Sequence, residues 1–137
     1  MDALTFLRER VALFEGVAEK HLEALAVGST LERYSKGSTI LFKGATVDHL
    51  QVVCTGKAGV FVKPPNKPVV QVAELQSGDV FGETSIVELS VAGATIKAAE
   101  DDTYVLAIPQ DALRALLADD AAFSARVKAL IDSRKSA

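Results

Sequence analysis

The stretch VFGETSIVELSVAGATIKA, residues 80–98, holds the groups of this chain best placed to bind a small molecule. A Gly82-Glu83 pair leaves the apolar Val80-Phe81 strand, enters a short polar turn with Thr84 and Ser85, and the chain returns to a strand at Ala94-Thr95-Ile96. A carboxylate, two hydroxyls and a glycine turn read as a small pocket for an anion. Its positive charge is missing. The arginines are Arg8, Arg10, Arg33, Arg114, Arg126 and Arg134, so residues 34–113 contain none. Lys97 is the nearest cation in sequence, and the alternation in ATIKA puts it on the same strand face as Thr95, which is either pocket or solvent. An exposed strand lysine is the simpler reading.

The elements that must position this stretch follow from hydrophobic periodicity. Leu4, Leu7, Val11 and Phe14 recur at three- and four-residue intervals, as do Leu22, Leu25 and Ala26, with Gly16 and Gly28 as breaks, which predicts a pair of short amphipathic helices. From Leu31 the period changes to short β-branched or aromatic runs punctuated by Gly37, Gly44, Gly56, Gly59, Gly78 and Gly82. That rhythm predicts a mainly β fold, a jelly-roll barrel of short strands joined by tight turns. The clearest strands are LQVVC, GVFVK, VVQVAEL, ATIKA and YVLAI, with PPNKP as a solvated turn. At Pro109 helical spacing returns: proline suits a first helical turn, Ala112, Leu113, Leu116 and Leu117 follow, and a last helix carries Phe123, Val127, Leu130 and Ile131. One domain is expected over residues 1–137, with helices over 1–30, barrel over 31–108 and helices over 109–134.

Composition bounds the function. A chain of 137 residues with 49% hydrophobic and 24% charged residues is an ordinary globular domain, able to bury about two thirds of its unfolded surface. A formal charge of −3 argues against direct nucleic-acid binding by bulk electrostatics. The apolar runs fall short of the roughly 18 residues a membrane span needs, so no membrane insertion is expected. The single cysteine, Cys54, has no intramolecular partner for a disulfide, and MDALTFLRER lacks a basic start with an apolar signal core, so a cytoplasmic location is expected.

The glycines and the GDVFGE run together resemble the cyclic nucleotide-binding domain family, of the catabolite activator protein and kinase regulatory subunit type. The likeness covers nearly the whole chain: FLRERVALFEGVAEKHLEALA is similar to the leading helices, YSKGSTILFKGATVDHLQVVCTGKAGVFV to the first barrel half, and LQSGDVFGETSI to the entry of the phosphate-binding cassette. The resemblance implies about eight strands, two leading and two trailing helices, and a pocket formed by Phe81, Gly82, Glu83, Thr84, Ser85, Ala92, Gly93, Ala94 and Thr95. In that family an arginine and the backbone N–H groups of a short helix hold the cyclic phosphate, and the glutamate accepts from the ribose hydroxyl. The arginine position falls here on Ala92. The cyclic nucleotide implied by the family is therefore expected to bind weakly or not at all, with Glu83 left as an acid that no local arginine offsets.

Each candidate also has a bland reading. Glu83 either contacts a ligand or bonds to backbone at its turn, and Thr84 and Ser85 either face a ligand or cap the short helix. His21 and His49, on a helix and in a turn, have no metal-ligand spacing, and Cys54 alternates with Leu50 and Val52 as a small core residue. Two distant histidines do not build the metal site of a cupin jelly roll, and no Gly-x-Ser-x-Gly, phosphate-loop or Cys-x-x-Cys pattern occurs. No metal and no catalysis are expected. Two classes remain. The first is a sensor whose cassette and final helices move with a neutral ligand, or with one whose phosphate the backbone alone holds. The second is a docking or dimerisation module, a homodimer through the C-terminal helix included, with Phe123, Val127, Leu130 and Ile131 facing a partner. The chain stops at SRKSA without an output element, so it is expected to act through an effector protein unless it is a piece of something longer.

Overall fold

The computed structural model describes residues 2–136. Its elements are α1 (Ala3–Arg10), a 3-10 turn (Ala12–Phe14), α2 (Glu19–Val27), β1 (Thr30–Tyr34), β2 (Thr39–Leu41), β3 (His49–Thr55), β4 (Ala58–Val62), β5 (Val70–Leu75), β6 (Val80–Phe81), α3 (Glu83–Glu88), β7 (Thr95–Ala98), β8 (Thr103–Pro109), α4 (Gln110–Asp119) and α5 (Ala121–Ser136). The strands form two four-stranded sheets, ordered β1-β8-β3-β6 and β2-β7-β4-β5. Every pairing is antiparallel. This is the mainly β, jelly-roll architecture with flanking helices that the glycine rhythm implies.

Burial explains why the central strands read as continuous apolar runs. On β3 and β8, Leu50, Val52, Leu106 and Ile108 pack with the helices, while Val53 and Val105 join Phe81, Leu75 and Ile96 between the sheets. Both faces are covered, so these strands are mostly apolar, with Gln51 the polar interruption within β3. Edge strand β5 differs, with Val70 and Val72 exposed. The helical layer closes around Phe14 and Phe123, whose rings stack 5.6 Å apart between centroids. Phe123, Val127 and Ile131 are buried in this core, so the apolar stripe of α5 packs on its own chain.

Four local expectations need correction. Val11 is extended at φ −113°, so the first periodic segment is not one helix but α1 followed by a 3-10 turn. Gly59 lies inside β4 rather than in a turn, and His49 opens β3 rather than sitting in a turn. Pro109 ends β8 and stands before the first turn of α4, where its missing N–H costs no helical hydrogen bond. By contrast, Gly37, Gly44, Gly56, Gly78 and Gly82 all have φ between 79° and 94°, the left-handed region that glycine enters without a Cβ penalty.

At Gly56, φ is +79° and an added Cβ would fall 2.4 Å from Thr103 Oγ1 and 2.9 Å from Thr103 Cα. Thr103 is itself pinned, donating to Glu100 O at 2.8 Å. Gly56→Ala is expected to lower the urea midpoint, with a loss of about 2 kcal/mol or more from backbone strain plus overlap.

Candidate functional site

The cassette is built by backbone conformation. Gly82, at φ 94°, turns the chain from β6 into α3, and a Cβ there would meet His49 O at 3.0 Å and Val47 Cγ1 at 3.1 Å. Ile86 N–H donates to Gly82 O at 3.2 Å. The short helix ends on Leu89, a non-glycine residue at φ 55°. Beyond it Ser90 N–H donates to Ser85 O at 3.0 Å, and Ser85 Oγ donates to Val91 O at 3.2 Å. Ser85 therefore closes the turn behind α3 instead of capping its start, and Thr84 Oγ1 lies 3.4 Å from Glu83 Oε1 as donor. Ala92 is clamped to the loop after β2, donating to Ala45 O at 2.9 Å and accepting from Gly44 N–H at 2.8 Å.

These residues surround a cavity of about 770 Å³. Phe81, Gly82, Glu83, Thr84, Ser85, Ala92, Gly93 and Ala94 line it together, facing Val60, Val62, Val72, Leu75 and Ile96 from the second sheet. Thr95 stands outside the wall, its hydroxyl accepting from Lys43 N–H at 3.1 Å. Lys97 is outside as well, exposed and 5.8 Å from the centre of the Phe61 ring. The register of β7 against β4, with Thr95 opposite Phe61 and Lys97 opposite Gly59, sets this outcome.

One expectation fails in a way that changes the site. The cavity is not bare of positive charge, because Arg134 and Lys135 from the last turn of α5 line it. Arg134 Nη1 donates to Glu83 Oε1 at 2.6 Å, where Glu83 is only 2% exposed and Arg134 33%. Lys135 Nζ lies 2.5 Å from Glu88 Oε2, and Arg114 of α4 donates to Ile86 O at 2.8 Å. Three cations from the trailing helices thus hold α3. The signal was present in sequence. Arg134 follows Leu130 by four residues and Ile131 by three, so it continues the face that carries the apolar stripe. The other oxygen of Glu83, Oε2, is buried and without a hydrogen-bond partner among the described residues.

The remaining titratable candidates serve structure. His21 Nε2 lies 2.6 Å from Asp119 Oδ2, tying α2 to the end of α4, and the bond to His21 together with Lys20 holds the Asp119 carboxyl below its ordinary range. Cys54 is half-buried, and burial pushes its thiol up to about 11. Among the described residues, no group of three or more His, Cys, Asp or Glu could hold a metal ion. No helix among them is long and apolar enough to cross a membrane.

With this geometry in place, the comparisons assign the class. The cyclic nucleotide-binding domain model matches residues 31–120. The chain belongs to that family. It is 27% identical over 120 residues to the Drosophila melanogaster cGMP-dependent protein kinase, isozyme 1, covering 86% of this chain and 16% of the kinase. The catabolite activator protein of Thermus thermophilus superimposes with a TM-score of 0.77 at 26% identity, covering 90% of this chain and 58% of the other. The regulatory domain of Toxoplasma gondii PKA, solved with cAMP, gives 0.81 at 21% identity, covering 98% and 48%. This chain therefore spans between about a sixth and three fifths of the length of these relatives.

Two outcomes check this description. Arg134→Met leaves the buried Glu83 carboxylate without its ion-pair partner and is expected to cost about 1–3 kcal/mol in urea unfolding, less than a fully enclosed pair would because Arg134 reaches solvent. Cys54 is expected to resist alkylation by iodoacetamide at neutral pH and to react appreciably only as the pH approaches about 11, measured by mass shift in the folded protein.

Proposed function

We propose that this chain is a regulatory small-molecule-sensing module of the cyclic nucleotide-binding type that does not hold cAMP or cGMP tightly. The observation that carries this reading is Ala92 at the family's arginine position, with the cations of the cavity already matched: Arg134 by Glu83 and Lys135 by Glu88. A cyclic phosphate entering here finds no free guanidinium and must be stripped of water against an apolar wall. Loss of one partner of a buried charged contact costs roughly 2–5 kcal/mol, about thirtyfold to several thousandfold in affinity.

The output follows from the same contacts. A ligand seated beside Glu83 touches the pair that fastens α5, so occupancy biases how firmly the last turn of α5 holds the cassette. Asp120, extended at φ −128° between α4 and α5, supplies the hinge for a two-state element. The module binds rather than catalyses, works in the cytoplasm, and passes its signal to an effector protein that reads the trailing helices. A second reading, docking without a ligand, is favoured by the apolar Val87, Leu89 and Val91, which lie exposed on and just after α3.

Isothermal titration of the wild-type protein with cAMP and with cGMP is expected to show no affinity in the micromolar range. Ala92→Arg returns a guanidinium to the cavity wall and is expected to raise cAMP affinity by about tenfold or more. Micromolar binding by the wild type contradicts the proposal.

A further inference from the structure

Charge is unevenly placed along this chain. The segments 37–47, 59–73 and 89–99 carry Lys43, Lys63, Lys67 and Lys97 and no Asp or Glu, so all 18 acids lie elsewhere, against 11 cations. Strand pairing gathers these segments. Lys43 N–H donates to Thr95 Oγ1 at 3.1 Å, Thr95 stands opposite Phe61 of β4, and Phe61 stands opposite Gln71 of β5. Gly44 and Ala45 bond to Ala92 at 2.8 and 2.9 Å. The loops at 42–45, 63–69 and 89–94 therefore meet at one end of the β2-β7-β4-β5 sheet.

Two kinds of side chain are left without a partner there. All four lysines are exposed, and none is in an ion pair among the described residues. Asp48, Glu74, Glu88 and Glu100 border the segments, and of these Glu74 and Glu88 are matched by Lys57 and Lys135. The same loops carry uncovered apolar side chains: Phe42 is 64% exposed, Val69 58% and Leu89 80%. The turn that presents Lys67 and Val69 is stiff. Pro64, Pro65 and Pro68 have fixed φ, and Lys67 N–H donates to Pro64 O at 3.2 Å. None of these side chains lines the cavity.

We propose that this end of the barrel is a peripheral docking surface for an anionic lipid bilayer, with Phe42, Val69 and Leu89 entering the headgroup region and the four lysines meeting the lipid anions. Side chains enter the headgroups and no segment crosses. Burial of apolar area and attraction to anionic lipid add at such a surface, and each lysine close to it contributes about fivefold in partitioning. Screening over about 8 Å at physiological salt makes the local sign decide, rather than the net charge of −3. A bilayer also suits the spacing. Phe42 follows β2 and Val69 precedes β5, the two edges of the sheet, three strand spacings or about 14 Å apart. A planar surface meets both apolar tips and the lysines between them at once, whereas an acidic segment of a protein satisfies the lysines and leaves the tips uncovered.

The chain contains no Trp, so Phe42→Trp and Val69→Trp report on these loops by fluorescence. Val27→Trp, at an 87% exposed position on α2, reports on the helical layer. Each full-length variant is titrated with vesicles of phosphatidylcholine alone and of phosphatidylcholine mixed in equal parts with phosphatidylserine. The expected result is a blue shift from positions 42 and 69 with the mixed vesicles only, and none from position 27. Combining Lys63→Gln with Lys67→Gln should weaken partitioning about tenfold or more while circular dichroism stays unchanged. No association with the mixed vesicles overturns the proposal, as does equal association with phosphatidylcholine alone, partitioning indifferent to the lysine replacements, or a shift at position 27 as large as those at 42 and 69. Soluble polyglutamate and single-stranded DNA are the competing polyanions. Tighter binding of either than of the vesicles assigns the surface to an acidic protein or a nucleic acid and overturns the proposal as well.

Discussion

The contact on which the site depends is the bond from Arg134 to Glu83. A carboxylate 2% exposed, on the first turn of a six-residue helix, is expensive to bury alone, and the guanidinium that compensates it arrives from the far end of the chain, 51 positions away. The cassette and the terminal helix are therefore not independent. Lys135 to Glu88 and Arg114 to Ile86 O reinforce the same junction, so α3 is held by side chains of α4 and α5 as much as by its own backbone. The last turn of α5 is thereby part of the cavity wall, through Arg134 and Lys135.

The barrel supplies the other half of the site by being rigid. β3 and β8 are packed on both faces, and β4 pairs with β5 and β7 along its length, so the apolar wall opposite the cassette is fixed by registers rather than by individual contacts. Exposed apolar side chains flank this wall on edge strand β5, at Val70 and Val72, and on the stretch from Val87 to Val91, and others lie away from it at Val27, Leu31 and Phe42. The protein thus places a paired sheet wall against a short helix braced from outside by α4 and α5.

How much of this was legible in the sequence depends on the range of the interaction. The glycine rhythm revealed the barrel because Gly37, Gly44, Gly56, Gly78 and Gly82 each occupy a left-handed turn, a local requirement that the residue type displays directly. The α5 stripe was legible as a stripe, since its period is local, but whether it met a partner or its own core depended on Phe14, more than 100 positions earlier. The break at Val11 was hidden because a helix followed by a 3-10 turn keeps nearly the same apolar spacing. The absence of arginine from residues 34–113 is a fact of sequence but not a fact about the cavity, which Arg134 lines. Charge enters a site through space, and Arg134 reaches Glu83 only once the last helix has folded back across the barrel.

A double-mutant cycle on Glu83→Gln and Arg134→Gln, read by urea unfolding, measures whether the buried carboxylate and the guanidinium from α5 stabilise one another. A coupling of about 1–3 kcal/mol is expected, with the double mutant losing less stability than the two single mutants summed. Additive losses within about 0.5 kcal/mol would mean that the two residues do not stabilise one another, and the link between the cavity and the terminal helix would be gone.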